Sequence, residues 1–569
     1  MASEETKIMT LKEQRESENV QIPDESVSQC IAEGFNRDPD RAAYHFMGTT
    51  HSFRQLNDLV IRFANYLIKT VGCQQGDVVA IHLPQTPQFK IAVAGSFMAG
   101  CKVTGVSALL TAKELAYQLN DSGAKVLVTL DALFENFFLP VKDELPNISD
   151  VVVTNIGDYI PAVTRILGKL LKKLPTGKIV PVPGKTVSAF KEIISQHQPD
   201  PCPEFKSDKN DTCMLMYTGG TTGVPKGCEI THGNFVTLNS IVGALFDLQP
   251  GKEILCTAFP FFHIAGMALN IGAMTQAWTQ ILVPDPRNIK YIVKSIAKYG
   301  TTIIANVPTL YLMLMEEPGF KSLGLASNPD FKVALSGAAP FASKPYRDLE
   351  EILGKGKLSE AYGLTESCGT LTTNPVDGES KLGSVGVPIS GVRTKIVDID
   401  TGTKEMPQGE EGEIIAIGST VMKGYLNNPE ETAKALREFQ GETWFYTGDV
   451  GKEDEDGYLF IVDRTKDMIL VGGYNVFSTE VENAIYSHPA VDLCAVIGAP
   501  NPKREGDELV KAVIQLKAEF REKDPGKIKT EIVELCRKEK AAYKVPKIIE
   551  FIDEIPVTAV GKVEKKLLR

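Results

Sequence analysis

From Val78 onward, short β-branched runs alternate with segments of helical periodicity, and this alternation constrains the fold more than any other feature of the chain. The runs at 78–81, 125–129, 151–153, 301–304 and 332–335 predict strands, and the segment 87–97 predicts a helix. Strands that alternate with helices form largely parallel sheets covered by helices. The pattern therefore predicts an α/β fold, in which a large N-terminal domain is built of layered α/β subdomains.

A shift in composition near residues 463–467 predicts a boundary before a second, smaller domain. The 569 residues are too many for one hydrophobic core. After the boundary, helices are predicted at 479–486 and 528–540, and strands at 493–497, 510–516 and 548–552. This order is typical of a small α+β domain. We predict a polar N-terminal arm over 1–35, a large domain over 36–465 and a small C-terminal domain over 466–569.

The composition excludes several classes of protein. The net charge of −11, from 61 Lys and Arg against 72 Asp and Glu, argues against a general nucleic-acid-binding protein. The acidic N-terminus lacks the apolar core of a secretory signal, and no apolar run reaches the roughly 18 residues of a membrane span. The ten cysteines include no C-x-x-C pair, which predicts reduced thiols rather than a zinc or disulfide framework. We therefore expect a cytoplasmic protein.

Residues 157–185 differ from their surroundings. Between 160 and 174, apolar residues at helical spacing are interspersed with the basic residues Arg165, Lys169, Lys172 and Lys173. A basic amphipathic helix can lie on the anionic inner surface of a membrane, which would give a weak peripheral contact. The alternative is a surface helix that docks its apolar face on its own domain. The docked interpretation is favoured, because the basic set is small and most amphipathic helices face a core.

The run from Tyr217 to Gly227 has the composition of a phosphate-binding loop. Glycines allow backbone N–H groups to approach an anion, and successive amides can form an anion-binding nest. The threonines add hydroxyl donors, and Lys226 adds a mobile positive charge. The run is not a Walker A motif, because Pro225 precedes the lysine and Gly227 follows it where that motif has a hydroxyl residue. The apolar residues 214–217 predict a buried strand that holds the loop.

Further segments accompany this loop in a fixed order along the chain. They are Pro-Phe-Phe-His at 260–263, Ser-Gly-Ala-Ala-Pro at 336–340, Tyr-Gly-Leu-Thr-Glu at 362–366, Trp-Phe-Tyr-Thr-Gly-Asp at 444–449 and Pro-Val-Thr-Ala-Val-Gly-Lys at 556–562. The second of them is a small-residue loop that a flat ring could approach. The third offers an aromatic face, a hydroxyl and a carboxylate within five positions.

At these residues the sequence resembles the adenylate-forming superfamily, from about residue 40 to the end. Within the superfamily the sequence motifs at 463–470, 473–476 and 560–562 look closest to those of fatty acyl-CoA synthetases. The resemblance implies two half-reactions: a carboxylate attacks the α-phosphate of ATP and releases pyrophosphate, and the thiol of coenzyme A then displaces AMP. It also implies Mg²⁺ as cofactor, a large domain that binds ATP and the acid, and a mobile C-terminal domain that carries a catalytic lysine.

The resemblance assigns the nucleotide to three groups of residues. The phosphates would be bound by Thr218, Gly219, Gly220, Thr221, Thr222, Gly223 and Lys226. Adenine would be bound by Gly337, Ala338, Ala339, Glu360, Ala361, Tyr362 and Gly363, with Tyr362 stacked on one face of the ring. Asp449 would accept hydrogen bonds from the ribose hydroxyls, and Arg464 would support them.

The resemblance also assigns the catalytic groups. Thr365 would contact the α-phosphate, Glu366 would bind magnesium, a hard cation that prefers oxygen ligands, and Lys562 would bridge the substrate carboxylate and the α-phosphate. Lys466 would be the hinge about which the C-terminal domain swings between the two half-reactions.

For the other two substrates, the resemblance points to Gly473 and Tyr474 on the coenzyme A face and to His263, Val307 and Pro308 in the acyl pocket. His263 could equally be a core histidine. Two departures from the family lie beside the coenzyme A face: Gly472-Gly473 replaces a commoner Ser-Gly, and Ser478 stands where a proline is usual. They leave the coenzyme A contacts open.

The predicted acid is a medium- or long-chain fatty acid. The stretch from Asn306 to Tyr311 near His263 contains no carboxylate, whereas an amino acid would need one for its ammonium group. The alternatives are a ligase for aryl or alicyclic acids and an acyl-AMP ligase that loads a carrier protein. A different class is an inactive acyl-adenylate-binding protein.

Overall fold

The computed structural model of the chain describes residue 15 and residues 20–171, 174–203, 205–218, 224–341, 343–376, 380–472, 474–504, 507–558 and 563–569. The predictions on residues 219–223 of the phosphate loop, on Gly473 and on Lys562 lie outside these residues.

The strands are numbered in chain order. They are β1 (Ala42–Phe46), β2 (Thr49–Ser52), β3 (Val78–His82), β4 (Lys102–Gly105), β5 (Ala124–Leu130), β6 (Asp150–Thr154), β7 (Thr186–Ala189), β8 (Thr212–Thr218), β9 (Lys226–Thr231), β10 (Ile254–Thr257), β11 (Thr279–Ile281), β12 (Ile303–Asn306), β13 (Val333–Ser336), β14 (Leu358–Tyr362), β15 (Thr372–Thr373), β16 (Val387–Pro388), β17 (Val392–Val397), β18 (Gly412–Gly418), β19 (Gly424–Tyr425), β20 (Leu436–Phe439), β21 (Glu442–Glu453), β22 (Leu459–Arg464), β23 (Ile469–Val471), β24 (Tyr474–Val476), β25 (Val491–Pro500), β26 (Glu508–Leu516) and β27 (Ile548–Ile552).

The α-helices are numbered likewise. They are α1 (Val27–Arg37), α2 (Phe53–Asn65), α3 (Pro87–Met98), α4 (Ala112–Asp121), α5 (Asp131–Leu133), α6 (Ala162–Leu170), α7 (Phe190–Gln196), α8 (His232–Leu245), α9 (Ile264–Thr275), α10 (Ile289–Tyr299), α11 (Pro308–Glu316), α12 (Pro318–Lys321), α13 (Ser343–Leu353), α14 (Pro429–Ala435), α15 (Ser478–Tyr486) and α16 (Pro525–Glu539).

Two large sheets are built from β1–β16, and β19 adds one edge strand to the second. One has the strand order β16-β15-β14-β13-β12-β10-β11-β1-β2, and the other has the order β19-β9-β8-β4-β3-β5-β6-β7. Their central strands pair in parallel, and so does the edge strand β7 with β6, whereas the other three edges are antiparallel. Because the carboxyl ends of parallel neighbours meet at one edge of a sheet, the loops after β10, β13 and β14 bring three sequence motifs together.

Helices α8 and α9 are apolar along most of their length and pack into the largest core of the protein. Local chemistry sets where they begin. The side-chain oxygen of Thr231 caps α8 by accepting a hydrogen bond from the Asn234 N–H, and the ring Nδ1 of His263 caps α9 by accepting one from the Ala265 N–H. The core also takes Val27, Ile31 and Phe35 of α1, a helix that spans residue 35. The division of the chain at residues 35 and 465 stays a prediction.

The region after β22 has a core of its own. A sheet of order β25-β26-β27 and the hairpin β23-β24 pack with α15 and α16 around the buried residues of this region. It follows a five-stranded sheet of β17, β18, β20, β21 and β22, and the short 3-10 turn Thr465–Asp467 connects the two. The predicted α/β fold with a smaller α+β unit is confirmed.

The segment predicted as an amphipathic helix is helical over Ala162–Leu170. The favoured interpretation of its packing is wrong, because its large apolar side chains face solvent: Val163, Ile166, Leu167 and Leu170 are 52–74 % exposed. None of the helices in the described part of the chain combines the length and the apolar character needed to cross a bilayer.

Candidate active site

A cavity of about 1290 Å³ runs between the two large sheets and reaches the C-terminal unit. Polar residues of the sequence motifs border one end, including Thr218, Lys226, Thr365, Glu366 and Arg464. Apolar residues of α8 and α9 border the other end. Several of the predicted nucleotide residues and the predicted acyl residue His263 therefore share one continuous space, whereas Ala339, Glu360, Tyr362 and Asp449 do not border it.

The phosphate loop starts and ends on a hairpin. Thr218 closes β8 and Lys226 opens β9, and the two residues lie opposite each other in the antiparallel register. The Lys226 ammonium lies 2.9 Å from Glu431 Oε2 and 4.3 Å from the centre of the Tyr425 ring. Hydrogen bonds from Lys434 and Lys226 lower the pKa of Glu431 to about 2. Lys226 is thus held at the polar end of the cavity by a carboxylate and an aromatic face.

Glu366 lies in the 3-10 turn Thr365–Ser367 that follows β14. Its Oε1 accepts a hydrogen bond of 2.8 Å from the Tyr425 hydroxyl, the same residue whose ring faces Lys226. Thr365 and Glu366 both border the cavity. The cation, the aromatic ring and the carboxylate therefore form a connected group on one side of the space.

The resemblance implies Mg²⁺, and the described residues of the cavity supply part of a binding site for it. Within the described part of the chain, no group of three or more His, Cys, Asp or Glu side chains could hold a metal alone. Glu366 offers a carboxylate at the cavity wall, with one oxygen already bonded to Tyr425. Magnesium is commonly bound by one or two carboxylates together with substrate phosphates and water. A single carboxylate beside a phosphate-binding loop suits that mode of binding.

The predicted adenine loop follows β13 and is strained. Gly337 and Ala338 border the cavity, and Ala338 has a φ of 68°, in the left-handed region that non-glycine residues rarely adopt. A Cβ on Gly337 would meet the Ala361 carbonyl oxygen at 3.1 Å. The two loops that would flank adenine therefore lie close together, and a glycine is needed where they approach.

Glu360 supports this loop from behind. Its Oε1 accepts a hydrogen bond of 3.0 Å from the backbone N–H of Phe341, at the loop's end. Burial raises the pKa of Glu360 to about 7, although the Phe341 bond opposes the shift. The side chain thus ties β14 to the adenine loop while its own charge is disfavoured.

Asp449 is held by two of the residues predicted to act with it. Its Oδ2 accepts a hydrogen bond of 2.8 Å from the Tyr362 hydroxyl, and its Oδ1 lies 2.9 Å from the Arg464 Nε. Asp449 and Arg464 are also paired in the β21–β22 register. The carboxylate is 3 % exposed and lies behind the cavity wall, where Gly448 and Arg464 reach the surface of the cavity.

The apolar end of the cavity follows one face of α9. His263, Ala265, Ala268, Leu269 and Gly272 border it at the spacing of a single helical face. His263 therefore both caps the helix and lines the cavity, and it is half-buried rather than a core histidine; its contact with an acyl chain stays a prediction. Small side chains on this face leave room along the helix.

Two predicted acyl-pocket residues are placed elsewhere. Of the described residues, those that border the cavity include Ala305 of β12 but neither Val307 nor Pro308. Strand β12 ends at Asn306, and the chain turns there into α11, so Pro308 is buried at the start of that helix. These two residues therefore do not border this cavity, and their contact with an acyl chain stays a prediction.

The C-terminal unit also contributes to the wall. Val557, Thr558 and Glu564 border the cavity, and Val557 pairs with Val563 in an isolated bridge. In the sequence, Lys562 lies between these positions. Lys466 of the connecting turn borders the cavity too, and burial, reinforced by the charge of Arg464, lowers its pKa. Tyr474 lies outside the wall, 62 % exposed and stacked on Tyr543 at 5.0 Å.

Ser478, which stands where a proline is usual, has a specific partner. Its backbone N–H and hydroxyl both donate to Asp463, and the Lys565 ammonium donates to its hydroxyl over 2.6 Å. A proline has no N–H to donate. The departure from the family thus adds a buried contact across the connecting turn.

Three residues at the cavity were not predicted: Tyr425, Glu431 and Asn239. Tyr425 and Glu431 belong to no local motif, and only the antiparallel pairing of β19 with β9 brings them to Lys226. The Asn239 Nδ2 of α8 is buried and has no hydrogen-bond partner among the described residues. An asparagine in the middle of a largely apolar helix was the available signal for it.

Two family profiles match the chain. The AMP-binding enzyme profile matches residues 31–426, and the AMP-binding enzyme C-terminal domain profile matches residues 480–562. A long-chain-fatty-acid–CoA ligase of Bacillus subtilis (strain 168) is 35 % identical over 556 residues, which cover 96 % of this chain and 94 % of that protein. A ligase of the same name from Escherichia coli O6:H1 is 34 % identical over the same shares of both chains.

A solved structure agrees over a similar extent. An anthranilate CoA ligase in complex with anthranoyl-AMP superposes with a TM-score of 0.81 at 26 % identity, covering 96 % of this chain and 97 % of that one. Together with the ordered motifs and the cavity that joins them, these matches show that the chain belongs to the AMP-binding enzyme family of the adenylate-forming superfamily.

Proposed function

We propose that this protein is an ATP-dependent acyl-CoA synthetase that activates a medium- or long-chain fatty acid. The ligase class follows from the family; the acid and the residue roles are the proposal. The observation that supports it is one cavity with a polar end at the phosphate-loop hairpin and an apolar end along α9. The relatives named long-chain-fatty-acid–CoA ligase agree with this choice of acid.

In the first half-reaction, an oxygen of the acid attacks the α-phosphorus of ATP and the bond to pyrophosphate breaks. Both reactants are anions, so positive charge and positioning must supply most of the catalysis. We assign the grip on the departing pyrophosphate to the loop 218–226, and the charge at the attacked phosphate to Lys562. Glu366 would hold Mg²⁺, which would neutralise charge on the phosphates.

In the second half-reaction, the sulfur of coenzyme A attacks the acyl carbonyl carbon and AMP leaves. Val557, Thr558 and Glu564 form part of the cavity wall, so a second substrate needs the C-terminal unit to move. We propose that this unit swings about Lys466 and brings the face of Gly473 and Tyr474 to the adenylate. The predicted domain division at residues 35 and 465 belongs to the same proposal.

The length of α9 supports a long acyl chain. Gly272 follows His263 by nine residues, which is about 13 Å along a helix that rises about 1.5 Å per residue. An extended acyl chain advances about 1.3 Å per methylene, so this stretch of the cavity wall is as long as about ten methylenes. Along this wall, none of the described residues on α8 and α9 that border the cavity is acidic, which suits an apolar chain rather than an amino acid.

An aryl or alicyclic acid is the second candidate. The relative that favours it is a feruloyl-CoA synthase of an Amycolatopsis species, 32 % identical over 93 % of this chain and 96 % of that protein. Loading of a carrier protein, and an inactive binding protein, remain alternatives to be excluded by the same assay.

The decisive experiment measures pyrophosphate release and thioester formation across straight-chain acids from acetate to palmitate, and with benzoate. We expect the highest kcat/KM between octanoate and palmitate, with both products formed. A maximum at benzoate would favour the aryl ligase. Pyrophosphate release without a coenzyme A thioester would favour the carrier-loading ligase, and no release with any acid would contradict an active enzyme.

The hinge is tested with Lys466→Pro, because proline restricts the rotation that the swing requires. Adenylate formation should survive while thioester formation fails. An equal loss of both half-reactions would contradict the hinge. Lys466→Ala is the matched control, since it removes the same side chain and leaves the backbone free to rotate.

The place of action is also a proposal: the cytoplasm, with a peripheral contact at the inner membrane surface through residues 157–185.

A further inference from the structure

The carboxylate of Glu431 lies between two lysines at the polar end of the cavity. Its Oε2 lies 2.9 Å from the Lys226 ammonium, and its Oε1 lies 2.6 Å from the Lys434 ammonium. All three side chains border the cavity. Because the pKa of Glu431 is lowered to about 2, its carboxylate is ionised at neutral pH and offsets one of the two positive charges on this part of the wall.

The two lysines are held differently. Lys226 begins β9, is 29 % exposed and lies over the ring of Tyr425, whose hydroxyl is bonded to Glu366. Lys434 is 72 % exposed and follows Glu431 by three residues on α14, a spacing at which side chains of one helix meet. The pair of Glu431 and Lys434 is therefore internal to α14 and persists when Lys226 moves away.

Lys226 has two alternative partners that compete for it. In the proposed function the phosphates lie beside this lysine, within reach of its flexible side chain. A phosphate oxygen that contacts Lys226 also approaches the Glu431 carboxylate, and two negative charges about 4 Å apart repel each other more strongly in a poorly solvated site than in water. Because Lys434 remains on Glu431, Lys226 can exchange the carboxylate for a phosphate without leaving the carboxylate unpaired.

We propose that Glu431 competes with the phosphates of the substrate for Lys226, which weakens the binding of ATP and of pyrophosphate and hastens the release of this product. Glu431 is then a positioning residue, because it acts on the phosphates through Lys226. The inference rests on the proposed function, in which the loop 218–226 binds the departing pyrophosphate. It adds to that site a group that takes the cation back when the product leaves.

The opposite role would be that Glu431 orients Lys226 for the phosphates. The described contacts favour it less, because the Tyr425 ring and the start of β9 already hold Lys226 at the wall and add no negative charge. The two roles differ in sign: a competing carboxylate weakens the binding of phosphates, whereas an orienting carboxylate strengthens it.

The test is isothermal titration calorimetry of ATP and of pyrophosphate, each with Mg²⁺ and without an acid. Glu431→Gln keeps the size of the side chain and removes its charge, and it should lower both dissociation constants about tenfold, on the scale of one charged hydrogen bond. The matched control is Glu430→Gln, which makes the same chemical change at the preceding, exposed residue of α14 and should bind both ligands like the wild type.

Lys434 supplies an arm of opposite sign. In Lys434→Gln, Glu431 loses its partner on α14 and holds Lys226 more firmly, so both dissociation constants should rise about threefold or more. In the double variant Glu431→Gln/Lys434→Gln this rise should be much smaller, because a double-mutant cycle isolates the coupling between two residues. A rise of the same size with and without the Glu431 carboxylate would show that Lys434 attracts phosphate by itself and would overturn the exchange.

Kinetics with octanoate provides a readout that a merely structural role would not move in this direction. Glu431→Gln should lower KM for ATP and the inhibition constant of pyrophosphate, and steady-state kcat should fall relative to the single-turnover rate of adenylation, because the product leaves more slowly. Unchanged or raised dissociation constants in Glu431→Gln would overturn the proposal. A wild type that binds both ligands but forms no adenylate would refute the proposed activity, while the two dissociation constants still decide this inference; a wild type that binds neither ligand would refute both.

Discussion

The two ends of the cavity are built by different means. At the polar end, side chains hold one another: Lys226 pairs with Glu431, and Asp449 with Tyr362 and Arg464. At the apolar end the wall is a helix face of small residues, and the Asn239 amide there is left without a partner among the described residues. Preorganised charge serves a reaction between anions, whereas an open apolar wall serves selection among chains.

The largest expected effect is at the polar end. Lys562→Ala should lower the rate of adenylation by about 10³-fold, the usual scale for the loss of a charge that stabilises a phosphoryl transition state. The variant should still convert a pre-made acyl-adenylate to the thioester. Pyrophosphate release and thioester formation measure the two steps. Normal adenylation would show that the catalytic charge lies elsewhere and that the polar end works without the C-terminal unit.

Asp449→Ala should have the next largest effect, because it leaves both the Tyr362 hydroxyl and the Arg464 guanidinium without their partner. We expect kcat/KM for ATP to fall about 10²-fold, since losing a charged hydrogen-bond partner in a buried site costs about 1.5–3 kcal/mol. The order of preference among acids should not change. A change in that order would mean that the two ends of the cavity are not separate.

Gly272→Leu tests the apolar end. A Cβ at this position would lie 3.1 Å from Asn239 Oδ1 and 3.8 Å from the Trp278 ring, so a larger side chain must fill the cavity. We expect kcat/KM for palmitate to fall about tenfold or more, in line with the usual cost of overpacking. Octanoate is too short to reach Gly272 and should react as before. A uniform loss with all acids would contradict the proposal that the acyl chain extends along α9 from His263 to Gly272.

Asn239→Leu should have a smaller effect of opposite sign. A saturated chain beside the Asn239 Nδ2 leaves that donor buried and unpaired, at a cost of about 1–3 kcal/mol. The leucine variant should therefore raise kcat/KM for dodecanoate and palmitate a few-fold. Asn239→Asp is the matched control, since it keeps the size and adds charge, and should lower it. A loss with every saturated acid in the leucine variant would indicate that the amide holds the wall in place.

The effect on activity is smallest at Glu360, behind the adenine loop, where the expected change is in stability. The pKa of Glu360 is raised to about 7 in the folded protein, above the ordinary value of 4.5. The protonated Glu360 side chain therefore makes its full contribution to the stability of the folded protein below pH about 4.5, and this contribution is lost as the pH rises through about 7. Glu360→Gln keeps the bond to Phe341 and removes the charge. In denaturant unfolding, the variant should match the wild type near pH 5 and exceed it by about 1–3 kcal/mol near pH 8. An equal difference at both pH values would contradict the assignment.

The predictability of the site differs between the same two ends. Motifs such as 362–366 and 444–449 predicted the polar end, because a nucleotide requires particular residue types close together in the chain. Glu431 and Tyr425 escaped prediction because their role depends on the pairing of β19 with β9. Val307 and Pro308 do not border the cavity, since the chain turns into α11 at the end of β12, and their predicted acyl contact stays untested.

Helix α6 shows the same limit. Its apolar period and its position in the sequence were predicted, but the favoured expectation that its apolar side chains dock on the protein was wrong. Periodicity identifies a helical face, whereas the packing of Arg165 on Gly157 and of Leu174 on Gly168 decides which face the protein covers.

The sequence alone was enough to establish the alternation of strands and helices, the second domain, the order of the nucleotide motifs and membership of the superfamily. These features depend on local secondary-structure propensity and on residues that nucleotide binding requires within short sequence motifs. Only the tertiary structure decided that His263 both caps α9 and lines the cavity, that Glu431 holds Lys226, and that the large apolar side chains of α6 face solvent. Each of these depends on contacts between segments far apart in the chain, which local pattern does not encode.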